Sequence, residues 1–363
     1  MKQRRGIGLT GSVAISLAAA LIVGVIALTV FSNGISTTTI TYTSFATNST
    51  GIIVSATNSS SGQFGTWSPT TGYPFAIESF SCVSSGGYVY CVGGANDTNP
   101  IHGIGDLNLT YYATLSGNGV GPWSRTTDYP IGIQDEDCVS SSSYVYCVGG
   151  YAGGPAGKAI ATAYYAPLSP SGIGPWTQTT EYPYPVDPPD CMVDSGHIYC
   201  VGPHYNGTAF TSTSDTFFAP LSADGIGSWS QSTGFANRTA GCSGSGGFVY
   251  CFGGGNCPPL GPSHDCPSPS YFARLSSNGT GVWNATSELP TAGFGAYVTA
   301  DSYEYYFVNT VYVASLSADG IGGWSTTTPY PDSGGVASCV AAGLYVYCIG
   351  GSTNDVYFTR IST

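Results

Sequence analysis

The chain has 363 residues, only 8% of them charged, with twenty acidic residues against eight basic ones and a formal net charge of −12. Three of the basic residues (Lys2, Arg4 and Arg5) stand at the extreme N-terminus, so everything after residue 33 carries five basic and twenty acidic residues. That surplus repels phosphate backbones and excludes nucleic acid as an expected partner, while the length allows one large domain or two ordinary ones.

The first expected element is a helix. Residues 7–31 carry no charge and are rich in Ala, Ile, Leu and Val. As a helix they would span roughly 37 Å, enough to cross a bilayer with some tilt. The basic cluster before them should remain cytoplasmic, which places the C-terminal bulk outside. Residues 1–33 are therefore expected to be a cytoplasmic tip and a single membrane anchor. Two rival readings are a cleaved export signal and a pilin-like precursor processed after Gly6, because Arg4-Arg5-Gly6 resembles an archaeal pilin-type cleavage site. All three put the rest of the chain outside the cytoplasm. Residues 34–62 are rich in Ser, Thr and Asn and are expected to form a polar stalk, with one apolar run at Ile52–Val54.

From residue 63 to the C-terminus the sequence repeats. The six tryptophans, Trp67, Trp123, Trp176, Trp229, Trp283 and Trp324, recur at spacings of 56, 53, 53, 54 and 41 residues. A period of this size signals a stack of supersecondary units. Each unit predicts four short strands. The second reads DCVSSSSYVYCVGG, a variable loop, AYYAPLS, a turn, and GPWTQTTEYP. Tyr, Val, Ile and Phe fill the strands, Gly and Pro separate them, and no amphipathic helix pattern intervenes.

The twelve cysteines form six pairs with eight intervening residues each: Cys82/Cys91, Cys138/Cys147, Cys191/Cys200, Cys242/Cys251, Cys257/Cys266 and Cys339/Cys348. Five of the pairs recur at one place in the repeat and flank a two-residue turn such as Gly86-Gly87 or Gly246-Gly247, where glycine supplies the positive φ of tight hairpins. Counting outward from the turn makes Cys82/Cys91 a non-hydrogen-bonded pair, the kind whose Cα atoms approach to roughly 4.5 Å and suit a disulfide. In the fifth unit Tyr297 and Tyr306 occupy both cysteine positions together, as expected of bonded partners. Zinc is disfavoured by the spacing and by the lack of matching histidines. Disulfides point to an oxidising compartment. Eight N-x-S/T sequons, at Asn48, Asn58, Asn96, Asn108, Asn206, Asn237, Asn278 and Asn284, agree with export and with a glycoprotein.

Four strands, a Gly-Gly doublet closing the second (Gly93-Gly94, Gly149-Gly150, Gly253-Gly254, Gly350-Gly351) and an aromatic residue eleven positions before the Trp (Tyr112, Tyr165, Phe218) resemble the kelch repeat of β-propellers. The third and fifth units are degenerate, with Gly202-Pro203 and Val308-Asn309 in place of the doublet. The resemblance implies an all-β, six-bladed kelch-like propeller, similar to the central domain of galactose oxidase. The Trp67 segment lacks a preceding strand set and the last strand, Val356–Ile361, lacks a following Trp strand, so the N-terminal strand is expected to complete the last blade. A further strand over Ile52–Ser55 is expected near that seam.

The resemblance also places the loops between second and third strands, and those between blades, around one mouth of the central channel. They carry His102, Asp135, Asp137, Asp190, His204 and His264, together with Glu136 and Asp187. These are candidate ligand residues for a metal or a cation, although no spacing fixes two of them on one element. No catalytic residue, cofactor or metal is expected. The copper chemistry of galactose-oxidase-like enzymes requires a free thiol, and every cysteine here has a partner. A sialidase-like reading rests on SADGIGSW at 222–229, where turn formation accounts for Asp224 and for its counterpart Asp319. The expected function is a membrane-anchored, extracellular binding or adhesion module for a glycan or cell-envelope protein. The alternatives are an extracytoplasmic enzyme and a surface filament subunit.

Overall fold

The computed structural model describes residues 62–96, 105–154, 157–205, 210–234, 241–253, 268–291, 295–308, 310–332, 338–351 and 353–362, with three short strands before them. The chain divides into two compact units, Gly62–Ile361 and Met1–Ser61 with Ser362–Thr363.

Within Gly62–Ile361 the strands form six antiparallel blade sheets, with a separate two-stranded ribbon of Tyr151–Ala152 and Lys158–Ala159. We label the four strands of each sheet a to d in chain order. In the first blade strand a is Ser81–Ser85, b is Tyr88–Val92, c is Thr110–Ser116 and d is Ser124–Arg125. Strand a of every blade packs against strand a of both neighbours, the last against the first, so the sheets close into a ring. The protein is a six-bladed β-propeller.

The ring closes as the strand count predicts. Ser68–Pro69 pairs with Val356–Arg360 as the fourth strand of the last blade, with Phe358 opposite Ser68 and Tyr357 opposite Pro69. The amides of Gly65 and Thr70 donate to the carbonyls of Arg360 and Val356, at 2.8 and 2.9 Å. The expected extra strand near Ile52 does not join this blade. Ser55–Ala56 pairs instead with Thr38–Thr43, within the other compact unit.

The expected membrane helix also finds no support. Most of residues 7–31 lies outside the described residues, but Val25–Val30 is a strand paired with Thr38–Thr43. Among the described residues no helix is long and apolar enough to cross a membrane. Within the Ser/Thr-rich stretch 34–62, Thr38–Thr43 and Ser55–Ala56 are paired strands, as the alternating Thr-Thr-Ile-Thr-Tyr-Thr run allows.

The recurrent Trp phrase is explained by contacts between blades. Each Trp stands immediately before its strand d. The indole N–H groups of Trp67, Trp123, Trp176, Trp229 and Trp283 donate to the carbonyls of Thr328, Thr71, Thr127, Thr180 and Thr233 on the preceding blade. In four blades a Thr-Thr-x-Tyr-Pro segment follows the Trp, and its tyrosine lies edge-on against the next blade's indole. Tyr73 meets Trp123 at 4.9 Å, Tyr129 meets Trp176 at 4.9 Å and Tyr182 meets Trp229 at 5.0 Å. Thus one blade's Trp and its neighbour's Tyr-Pro segment form a single joint, and the phrase recurs because the joint does. Trp324 is the exception. Its buried N–H has no partner, and strand d of the preceding blade departs from the others by running on to Leu289 with a register shift.

A second joint was not expected from the sequence. The segment read as a simple turn between strands c and d folds back as a two-residue strand, such as Gly172–Ile173. Its backbone is gripped by a threonine of the preceding blade, whose Thr126 hydroxyl accepts from the Ile173 amide at 2.8 Å and donates to its carbonyl at 3.0 Å. At the seam Phe64 takes this place, with its amide donating to the Thr327 hydroxyl and its carbonyl accepting from Thr328. A Trp176→Phe chain should keep the ring contact and lose only the indole bond, lowering stability by about 1 kcal/mol in chemical denaturation.

Five disulfides lie where the hairpin geometry predicts: Cys82–Cys91, Cys138–Cys147, Cys191–Cys200, Cys242–Cys251 and Cys339–Cys348, with Cα separations of 4.0–4.1 Å. Each joins directly opposite residues of strands a and b. The turn between them has positive φ at both Gly86 and Gly87, at 58° and 81°, as a primed hairpin turn requires. Cys257 and Cys266 lie outside the described residues.

Candidate functional site

The a strands line a central channel of about 360 Å³, bounded by Val83, Ser140, Val193, Gly244, Thr299 and Ala341 among others. Its hydroxyls are largely committed to the ring, since Ser84 donates to the Ala341 carbonyl and Ser140 to that of Ser84. Chemistry therefore concentrates where the a strands begin.

That mouth is also where the connecting loops converge. Short bridges join Glu78 to Ala95, Ala95 to Asp106, Leu107 to Ile133, Gln134 to Tyr151 and Ile160 to Val186. Every one of them pairs loops of the expected two kinds, or two parts of one such loop, so both kinds do share a face.

The first residues of the six a strands are Ser81, Asp137, Asp190, Gly241, Ala296 and Ser338. This position bonds the next blade. The Ser81 hydroxyl accepts from the Cys138 amide at 3.0 Å, and the Asp137 carboxylate accepts from the Cys191 amide. Burial pushes the Asp137 carboxyl up to about 8, the charge of Asp190 adds to this, and the Cys191 and Cys138 amides oppose it. Asp190 accepts from the Tyr297 hydroxyl at 2.6 Å, a reach that begins two blades away. Gly241 makes that reach feasible, because a Cβ there would meet the Tyr297 ring at 2.6 Å.

Around this pair stand further acids. Asp187 is raised to about 7 by burial and by Asp135. Asp135, at positive φ, is raised by burial and by Asp106 and Glu78, against a hydrogen bond from Ser79. Glu136 is 4% exposed, and burial raises its carboxyl well above the usual range. The amides of Glu136 itself and of Ser81 lie near its oxygens, without meeting hydrogen-bond geometry. The Arg125–Asp128 ion pair lies apart from them, on the exposed edge of the first blade.

The structure thus brings Asp135, Asp137 and Asp190 to one mouth. His204 lies in the strand His197–Tyr205 with its side chain outside the described atoms, and His102 and His264 lie outside the described residues. No group of three metal-binding side chains occurs among the described residues. Sequence reasoning missed Tyr297 as a mouth residue. It read the residue as a replaced cysteine, and the fact that only blade five sets a phenol beside Gly241 was the available signal.

No protein-family model matches the chain, and no curated protein is similar to it. Among solved structures it is similar in fold to the one titled "Structure of YjhT". The TM-score is 0.57 with 13% identity, over 79% of this chain and 94% of that one. At that identity the likeness establishes the propeller and nothing about its ligand.

Proposed function

We propose that the chain is an extracellular, membrane-anchored binding or adhesion module, kelch-like in its repeat, that presents the loop face of its propeller to a glycan or cell-envelope protein. The observation that carries this reading is the mouth itself. Asp137, Asp190 and the Tyr297 hydroxyl converge there within a wall of further carboxyls. Such a wall is rich in hydrogen-bond acceptors and suits a ligand that arrives with donors, as a polyhydroxylated sugar does. The five hairpin disulfides support an oxidising location, and the membrane anchor rests on the sequence alone, on the uncharged run that follows the basic cluster.

A glycan array probed with the purified chain tests the proposal. Binding to a defined glycan class is expected, and it should weaken about tenfold or more in Asp190→Ala, which removes a carboxyl acceptor. Asp137→Asn keeps an acceptor for the Cys191 amide and serves as the folded companion. Absence of binding to any glycan or envelope extract, or binding indifferent to both substitutions, would overturn it.

A further inference from the structure

The six blades are copies of one unit, so each seam between blades is a control for the others. At the second residue of strand b, five blades carry Val89, Val145, Ile198, Val249 and Val346, all fully buried. Each packs toward the third residue of strand a on the preceding blade: Val340, Val83, Val139, Met192 and Val298 respectively. The seam between the fourth and fifth blades departs on both sides at once. Glu304 replaces the aliphatic residue of strand b, and Ser243 replaces the one opposite.

Glu304 is 0% exposed. Its Oε2 accepts from the Ser243 hydroxyl across the seam and from Thr299 on its own hairpin, while Oε1 has no partner. Directly opposite it on strand c is Ala314. The titratable groups around it are the phenols of Tyr297 and Tyr305, and no cation pairs with it among the described residues. Its blade is also the one in which Tyr297 and Tyr306 stand where the other five carry the hairpin disulfide. The seam with the polar core therefore borders the hairpin with no covalent lock.

We propose that this seam is a pH-dependent joint of the ring, closed while Glu304 is protonated and loosened when it ionises. A neutral carboxyl fits a site built for an aliphatic side chain, with two hydroxyls in reach. An ionised one places a charge between two sheets with no counter-charge. Burial pushes the carboxyl up to about 7, against the pull of the two hydroxyls. The folded value exceeds the ordinary 4.5, so the folded state holds the extra proton between them. The contribution of this group is thus fully present below about pH 4.5 and lost as pH rises through about 7.

Hydrogen exchange of the full chain, corrected for the intrinsic pH dependence of exchange, tests the joint. Amides of 241–245 and 303–307 should lose protection by about tenfold or more between pH 5 and pH 8, while the equivalent strands of the first and second blades change less. Glu304→Gln, which mimics the neutral acid at every pH, should abolish that local loss. The double substitution Ser243→Val with Glu304→Val, which restores the pattern of the other seams, should do the same and so guards against a folding defect in the single variant. A wild-type seam equally protected at both pH values overturns the proposal. So does a Glu304→Gln chain that keeps the wild-type loss.

Discussion

A chain beginning at Gly72 should fail to fold into a closed ring, whereas one beginning at Gly62 should melt with the stability of the full propeller. The two differ by ten residues, but those residues supply every strand-d contact of the last blade. Their removal strips Val356–Arg360 of its partner and exposes an unpaired edge carrying Tyr357 and Phe358. It also removes Phe64, which is 4% exposed, stacks on Tyr305 at 4.1 Å and bonds through its backbone to Thr327 and Thr328. Trp67 goes with it, along with its edge contact to Tyr330 at 5.2 Å. Losing two such aromatic side chains costs about 3–5 kcal/mol each. That sum is comparable to the entire stability of a typical domain. Size-exclusion chromatography and circular dichroism of the two truncated chains decide the matter. A monomeric, cooperatively melting chain from Gly72 would show that the seam is dispensable.

This seam was legible in the sequence because counting strands leaves one Trp segment without a predecessor and one terminal strand without a successor. The disulfides were legible for a similar reason, since pairing register follows from the position of a two-residue turn. Both arguments need only strand periodicity and local geometry. The mouth was less legible. Whether Asp137 and Asp190 face a channel or solvent depends on where strand a begins, and Tyr297 reaches Asp190 only because Gly241 lies between them. Those are relations among three blades, which no local pattern encodes. The Val25–Val30 strand marks a third kind of limit. An uncharged run rich in β-branched residues satisfies a membrane helix and a strand equally well, and hydropathy alone does not separate the two.

Glu304 shows how the repeat supplies what local reasoning lacks. A single glutamate in YEYYF carries no signal alone. Set against YVY or HIY at the same place in other blades, it becomes a carboxyl in an aliphatic position, and Ser243 becomes its counterpart. The comparison needs only the internal copies, once the structure states which residues face one another.

Reduction of the disulfides should produce the other large effect. Each of the five bonds closes a loop of nine residues in sequence separation. By chain entropy each contributes about 2–3 kcal/mol. Hairpins that already close through tight turns retain part of their order without the bond, so the five together stabilise by less than the simple sum. Even half of it is a large share of a typical folding free energy. The reduced chain should therefore melt at least about 10 °C below the oxidised one, and part of it should be unfolded at physiological temperature. Losing one bond is a different matter. The fifth blade keeps the strand pairing of Ala296–Ala300 with Tyr303–Phe307 using Tyr297 and Tyr306 in place of a disulfide. A Cys82→Ser, Cys91→Ser chain should accordingly fold and melt only a few degrees lower, because its neighbours still hold the first hairpin from both sides. Differential scanning fluorimetry with and without dithiothreitol measures both effects. If full reduction moved the midpoint no further than the single pair does, packing between blades would be carrying the ring, and the disulfides would serve chiefly to hold the hairpins before it closes.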